Sequence, residues 1–300
     1  MTATTTKNLP ASVKARLLNL AQIRRETFND LLVRYCIERL LYRLGQSKHA
    51  DRFLLKGAML FVLWDNKSPR PTRDVDFLGF GPMEIETIAA AFRDIATTPV
   101  TPDGLEFAPA SVTAGEIREG QEYGGVRVNL MATLGKARVP LQIDIGSGDA
   151  VTPAPEQALF PVLLDFPAPR IRAYPVYTVV AEKLEAIVSI RVGNTRMKDF
   201  HDLLFLSRRF DFDGALLHRA IAATFARRGT SIEGEPYPFT PAYINDAERQ
   251  KLWSGFLARN GLKTVPEKFP ALMSALHDFV APVMRPNNLK WRAGAGWSHD

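Results

Sequence analysis

Apolar residues recur at helical spacing over the first fifty positions. Val13, Leu17, Leu18 and Leu20 give one stripe over residues 10–22. Leu31, Tyr35, Leu40, Leu41 and Leu44 give a stronger one over 27–44, where Thr27 can cap the start and Gly45 is placed to stop the end. Residues 53–64 (FLLKGAMLFVLW) are apolar with one Lys-Gly interruption, which predicts a short strand or loop entering a buried helix. Pro69 and Pro71 then break the chain. Residues 74–80 (DVDFLGF) predict a strand ended by Gly81-Pro82, and residues 84–95 a helix. Residues 126–134 and 138–145 predict two strands joined as a hairpin at Gly135-Lys136. The proline-rich stretch 151–175 predicts an irregular crossover between lobes. Residues 179–191 and 198–209 are helical in pattern, as is most of the chain from Phe212, broken by a polar loop at 229–241. The tail from Pro286 has little periodicity and is expected to be partly disordered. The order of elements predicts an α+β protein: N-terminal helices over 1–50, a mixed strand-and-helix core over 51–175, and a mainly helical lobe over 176–300.

Composition narrows the class. With 300 residues and 46% hydrophobic positions, the chain can bury a core without covalent staples. Its single cysteine, Cys36, cannot form an internal disulfide and sits in an apolar helical run, which suits a buried thiol in a reducing compartment. No secretion-signal pattern opens the chain, and no apolar run approaches the roughly 20 residues needed to span a bilayer. A soluble cytoplasmic protein is expected, without a membrane partner. Lys and Arg exceed Asp and Glu by 38 to 32. In the first fifty residues the excess is sharper: nine basic residues from Lys7 to Lys48 against Glu26, Asp30 and Glu38. Arg24, Arg25, Arg34, Arg39 and Arg43 fall in helical segments, and either line a solvated face or contact an RNA backbone.

The chemistry concentrates at Thr72-Arg73-Asp74-Val75-Asp76. Residues two apart on a strand share a face, so Asp74 and Asp76 present two carboxylates side by side. Two such charges repel, and a divalent cation resolves the repulsion while keeping positions for substrate phosphates. Upstream, Lys56-Gly57-Ala58 is a small-residue turn whose backbone N–H groups could approach a triphosphate. Downstream, Asp144 lies in the strand-like Leu141-Gln142-Ile143-Asp144-Ile145. It is either a third carboxylate of a two-metal site or an edge-strand or turn-adjacent acid, since Gly146 follows. Lys183, in a helix with Val179, Val180, Leu184 and Ile187, either binds phosphate as a point charge or pairs with Glu182 or Glu185. Asp199 opens the next helix. It could orient Lys183, accept a proton, or complement the helix dipole. Arg191 and Arg196 flank the intervening loop and either meet phosphates or are solvated.

A small-residue turn, an Asp-x-Asp and a later strand acid resemble the polymerase-β-like nucleotidyltransferase superfamily. Leu55-Lys56-Gly57-Ala58, Thr72-Arg73-Asp74-Val75-Asp76, Ala181-Glu182-Lys183-Leu184-Glu185-Ala186 and Arg196-Met197-Lys198-Asp199-Phe200-His201-Asp202-Leu203 occur in that order. Together they resemble the AbiEii/AbiGii toxin family, whose relatives include the MenT-type toxins. The resemblance covers roughly residues 10–225. It implies a polymerase-β-like core, a mixed sheet flanked by helices, with a helical C-terminal lobe. It implies that Asp74 and Asp76 bind Mg²⁺ or Mn²⁺ and contribute to catalysis. Asp144 is a third metal ligand by analogy with the superfamily. Lys56, Gly57, Ala58, Arg73 and Lys183 would bind the nucleotide, and Asp199 would be catalytic with Lys183. The implied activity is transfer of a nucleoside monophosphate from a nucleoside triphosphate to the 3′ end of tRNA, which blocks translation. A cognate AbiEi-like antitoxin would oppose it without a stable complex. Two alternatives stay open on the residues alone: the same chemistry on a small-molecule or protein hydroxyl, and a non-catalytic nucleotide- or RNA-binding module.

Overall fold

A computed structural model describes residues 8–65, 74–117, 124–232, 236–262 and 265–299. The chain divides into two compact units. One comprises Met1–Gly148 and Glu156–Tyr174, the other Asp149–Pro155 and Pro175–Asp300.

The first unit opens with helices α1 (Leu9–Arg24) and α2 (Phe28–Gln46). As expected, the Thr27 side chain caps α2 by accepting from the Asp30 N–H. Gly45 does not stop it. The helix runs on to Gln46, and a side chain at Gly45 would strike the Arg170 carbonyl. The glycine is there for a close backbone approach. Strand β1 (Phe53–Lys56) leads through Gly57 and Ala58 into α3 (Met59–Asp65), followed by β2 (Asp74–Gly79) and α4 (Ile85–Thr97). Three longer strands follow: β3 (Leu105–Ile117), β4 (Gly125–Leu134) and β5 (Ala137–Ser147). Then come β6 (Glu156–Leu159) and β7 (Arg170–Ala173).

These strands form one seven-stranded mixed sheet in the order β3-β4-β5-β2-β1-β7-β6. The α+β expectation holds. Two departures have physical causes. Strand β3 carries no readable pattern because it is an edge strand with Pro109, several alanines and a register shift between Ala108 and Thr113. The stretch 151–175 is not wholly irregular. It contains β6 and β7, which extend the sheet beside β1. Prolines mask strands this short.

One face of the sheet is apolar. Val75, Phe77, Val128, Leu141, Ile143 and Ile145 are all buried, and the Phe53 ring packs at a tilt against Phe77 and against Phe92 of α4. Helix α2 is enclosed as well. Its Arg34, Arg39 and Arg43 are buried, so they are not a solvated or RNA-facing surface. Arg43 pairs with Asp103 at 2.7 Å, and Arg39 donates to the Pro167 carbonyl. Cys36 is fully buried, and burial pushes its thiol up to about 12, as a structural cysteine requires.

The second unit contains α5 (Val176–Ile190), α6 (Met197–Arg209), β8 (Phe212–Asp213), α7 (Gly214–Arg227), α8 (Pro241–Ile244), α9 (Ala247–Asn260) and α10 (Phe269–Val280). The tail is ordered. Strands β9 (Lys290–Arg292) and β10 (Gly296–Ser298) form a hairpin that pairs with β8. Trp291 packs on Phe279 at 4.8 Å and on Trp297 at 5.4 Å, and both indole N–H groups donate to backbone carbonyls. Two tryptophans in a short segment can anchor it without periodicity. Among the described residues no helix is long and apolar enough to cross a membrane.

Candidate active site

In the first unit the candidate residues lie on the sheet face opposite the apolar one. Alternation along β2 puts Asp74 and Asp76 on that face, with Asp74 exposed and Asp76 half-buried. Strand register extends this into a row. Lys56 on β1 lies opposite Asp76, Asp76 opposite Asp144 on β5, and Asp144 opposite Arg127 on β4. Neighbouring strands are about 4.8 Å apart, so the two carboxylates emerge side by side.

Each member of the row has a distinct setting. Arg127 grips Asp144 through both carboxylate oxygens, at 2.9 and 2.8 Å. Lys56 places its ammonium 5.3 Å from the centre of the Tyr174 ring. Gly57 has φ +70°, and a side chain there would collide with the Asp76 carboxylate. The missing side chain is thus used first by Asp76, which lies against the turn. Ala58 is buried, so its methyl belongs to the core. Arg73 lies outside the described residues. Among those described, no three His, Cys, Asp or Glu side chains form a ready metal cage.

Arg127 was not singled out by sequence reading, yet a signal existed. The two-residue Gly135-Lys136 turn pairs Leu134 with Ala137, and seven residues back on either arm are Arg127 and Asp144.

In the second unit Lys183 reaches from α5 to α6. Its ammonium lies 2.6 Å from Asp202 and 3.2 Å from Asp199. Asp199 also meets the Arg196 guanidinium at 2.8 Å. Asp199 and Asp202 are 2% and 0% exposed. Burial alone would lower the Lys183 pKa, but the two carboxylates more than offset it and hold it above the usual value. Lys183 therefore stays charged at neutral pH. Asp202 stands in the quoted motif but was given no role there. It lies three positions after Asp199 and so shares its helix face.

One reading paired Glu182 or Glu185 with Lys183. Arg228 takes both, at 3.3 and 2.8 Å, together with Asp149 at 3.2 Å. The loop between α5 and α6 is held from beneath. Asn194 is fully buried, its side chain accepts from the Arg196 N–H at 2.8 Å, and its carbonyl accepts from Arg249. Arg191 and Arg196 are exposed, and Arg191 has φ 51°, a conformation that favours glycine. His201 is buried against Phe256.

The arrangement can do two kinds of chemistry. The β2 carboxylates form an anionic face suited to a hard cation. The lysine is a fixed positive charge suited to phosphate.

The family model described as "Nucleotidyl transferase AbiEii toxin, Type IV TA system" matches residues 39–276. No curated protein sequence matches the chain. Among solved structures, the chain is similar to JHP933 from Helicobacter pylori, with 14% identity and a TM-score of 0.42 over 80% of this chain and 88% of that one. It is also similar to an H. pylori protein assigned as a nucleotidyltransferase, with 14% identity and a TM-score of 0.41 over 80% of this chain and 91% of that one.

Proposed function

The chain belongs to the AbiEii nucleotidyl transferase toxin family of type IV toxin–antitoxin systems, and from that premise we propose that it transfers a nucleoside monophosphate to the 3′ end of tRNA and so stops translation. Membership makes it a nucleotidyltransferase that uses a nucleoside triphosphate and is opposed by an antitoxin. The tRNA acceptor, the metal and the residue roles are our reading. The observation that carries it is the pair Asp74 and Asp76 on one accessible strand face, with Gly57 making room for the Asp76 carboxylate.

Asp74 and Asp76 fit a divalent ion: two oxygen donors on one face, neither enclosed in the core. They would hold Mg²⁺ or Mn²⁺. A bound ion there supplies neutralisation of triphosphate charge and orientation of the phosphates. The remaining work falls to the chain. The acceptor 3′-hydroxyl oxygen forms a bond to the α-phosphorus and gives up its proton to water, the bond from that phosphorus to the bridging oxygen breaks, and pyrophosphate leaves with the electron pair. Lys183 binds a phosphate oxygen as a point charge and offsets negative charge that builds during transfer. Asp199 and Asp202 hold the ammonium in place. With its oxygens facing Lys183 and Arg196, Asp199 acts by positioning rather than as a proton acceptor.

The polyanionic acceptor is supported by the net charge of +6 and by exposed Lys14, Arg25, Lys136 and Arg138 in the first unit. A cytoplasmic location goes with both substrates. The antitoxin acts without a stable complex.

The test is labelling. Purified protein is incubated with Mg²⁺, total bacterial RNA and each α-³²P-labelled nucleoside triphosphate in turn, with Asp76→Ala as control. Label in a tRNA-sized band, only with the intact protein, is expected. Label that goes instead to a protein or a small molecule overturns the tRNA acceptor and keeps the chemistry. No transfer to any acceptor overturns the reading.

A further inference from the structure

The row Lys56–Asp76–Asp144–Arg127 runs across four strands in direct register, with charges in the order plus, minus, minus, plus. Two carboxylates on adjacent strands, both pointing the same way, repel each other. Each has a cation on its outer side, but the two cations differ in kind. The Lys56 ammonium lies over the Tyr174 ring and is a single flexible charge. The Arg127 guanidinium donates to both oxygens of Asp144 in a fixed, planar, two-bond fork. Arginine also keeps its proton at any pH a cell offers. Asp144 therefore has a permanent cation bridging its two oxygens. A divalent ion that took the same two oxygen edges would displace both hydrogen bonds, and at either oxygen it would meet the guanidinium's positive charge close by.

We propose that Arg127 is a built-in cation that stands in for a second metal ion. Without nucleotide the chain binds one divalent ion, through Asp74 and Asp76, and Asp144 is not a ligand. Arg127 is then a positioning residue: it fixes Asp144 and sets the number of metals. This rests on the proposed function in one respect, that Asp74 and Asp76 hold the metal.

The experiment is a Mn²⁺ titration of the full chain without nucleotide, with free ion followed by electron paramagnetic resonance. Wild type is expected to show one site, and Asp76→Ala none. Arg127→Gln, which frees Asp144, is expected to show two sites. Asp144→Asn is expected to keep the single site at unchanged affinity, and this arm decides the matter if Arg127→Gln fails to fold. Two sites in wild type overturn the inference and leave Asp74 and Asp76 standing. One site in a folded Arg127→Gln overturns it as well. So does a loss of affinity of about tenfold or more in Asp144→Asn, the size expected on removing a group that serves the metal. No site in wild type overturns this inference together with the metal reading of Asp74 and Asp76.

Discussion

On β2, Asp74 is exposed and Asp76 half-buried, whereas Asp199 and Asp202 are enclosed around Lys183 on α5 and α6. Both regions place two carboxylates within a few residues of each other. The strand pair keeps contact with water, which screens the repulsion and leaves room for an exchangeable cation. The helix pair has no such screen, so its counter-charges are covalently part of the protein: Lys183 and Arg196. Accessibility decides whether an acidic pair serves a ligand or the fold. Enclosed carboxylates need a resident partner, because an unpaired buried charge costs several kcal/mol.

Removing a strand carboxylate gives the largest effect on activity and the smallest on stability. Asp76→Ala is expected to lower transfer by about a thousandfold or more, as loss of a metal-holding group does, with the melting temperature unchanged or raised. Labelling and thermal melting read the two sides. The helix cluster behaves in the opposite way. Lys183→Met leaves two enclosed carboxylates without their lysine and is expected to cost about 3–5 kcal/mol of stability, read by urea unfolding. If Asp76→Ala destabilises as much as Lys183→Met, the contrast between the regions is lost.

The pH dependence separates the units. Burial raises Glu38 on α2 to about 7, against the opposing pull of Arg39 and the Leu163 N–H. The folded state then holds a proton that the unfolded chain, with its carboxyl near 4.5, releases. The stability this group contributes is full below about 4.5 and is lost as pH rises through 7, amounting to roughly 3 kcal/mol. Lys183 is also raised, so its contribution is full below 10.5 and is lost only as pH rises through its folded value. Between pH 5 and 8 the Glu38 transition is expected and the Lys183 one is not, and Glu38→Gln should flatten the former in a series of melts.

An effect on stability between those of Asp76→Ala and Lys183→Met is expected at the turn under Asp76. Gly57→Ala forces a side chain into a positive-φ position at a cost of about 1–2 kcal/mol. Because the new methyl also displaces the Asp76 carboxylate, transfer should fall by about a hundredfold, the penalty of a misplacement near 1 Å. Equal transfer by wild type and Gly57→Ala would mean that the position of Asp76 is not tied to this turn.

Some of the molecule was legible before any fold was known. The shared face of Asp74 and Asp76 follows from strand periodicity, and the Thr27 cap and the Gly135-Lys136 hairpin follow from turn and cap chemistry. These are properties of a few consecutive residues. Other elements were hidden for identifiable reasons. Strand β3 is an edge strand without alternation, β6 and β7 are too short to show a period, and the C-terminal hairpin is held by Trp291 and Trp297 rather than by a pattern.

The sequence by itself determined which residue types stand at which spacing, because backbone geometry repeats every two residues in a strand and every 3.6 in a helix. Only the tertiary structure decided their partners. The basic residues Arg34, Arg39 and Arg43 read the same as the exposed Arg25 until α2 is packed and they are enclosed. Asp144 reads the same as Asp76 until strand pairing brings Arg127 opposite it. Asp202 acquires its role when α6 lies against α5 and Lys183 reaches it. A charge is fixed by the residue. Whether it is neutralised depends on neighbours from distant parts of the chain, and those are set by strand register and core packing.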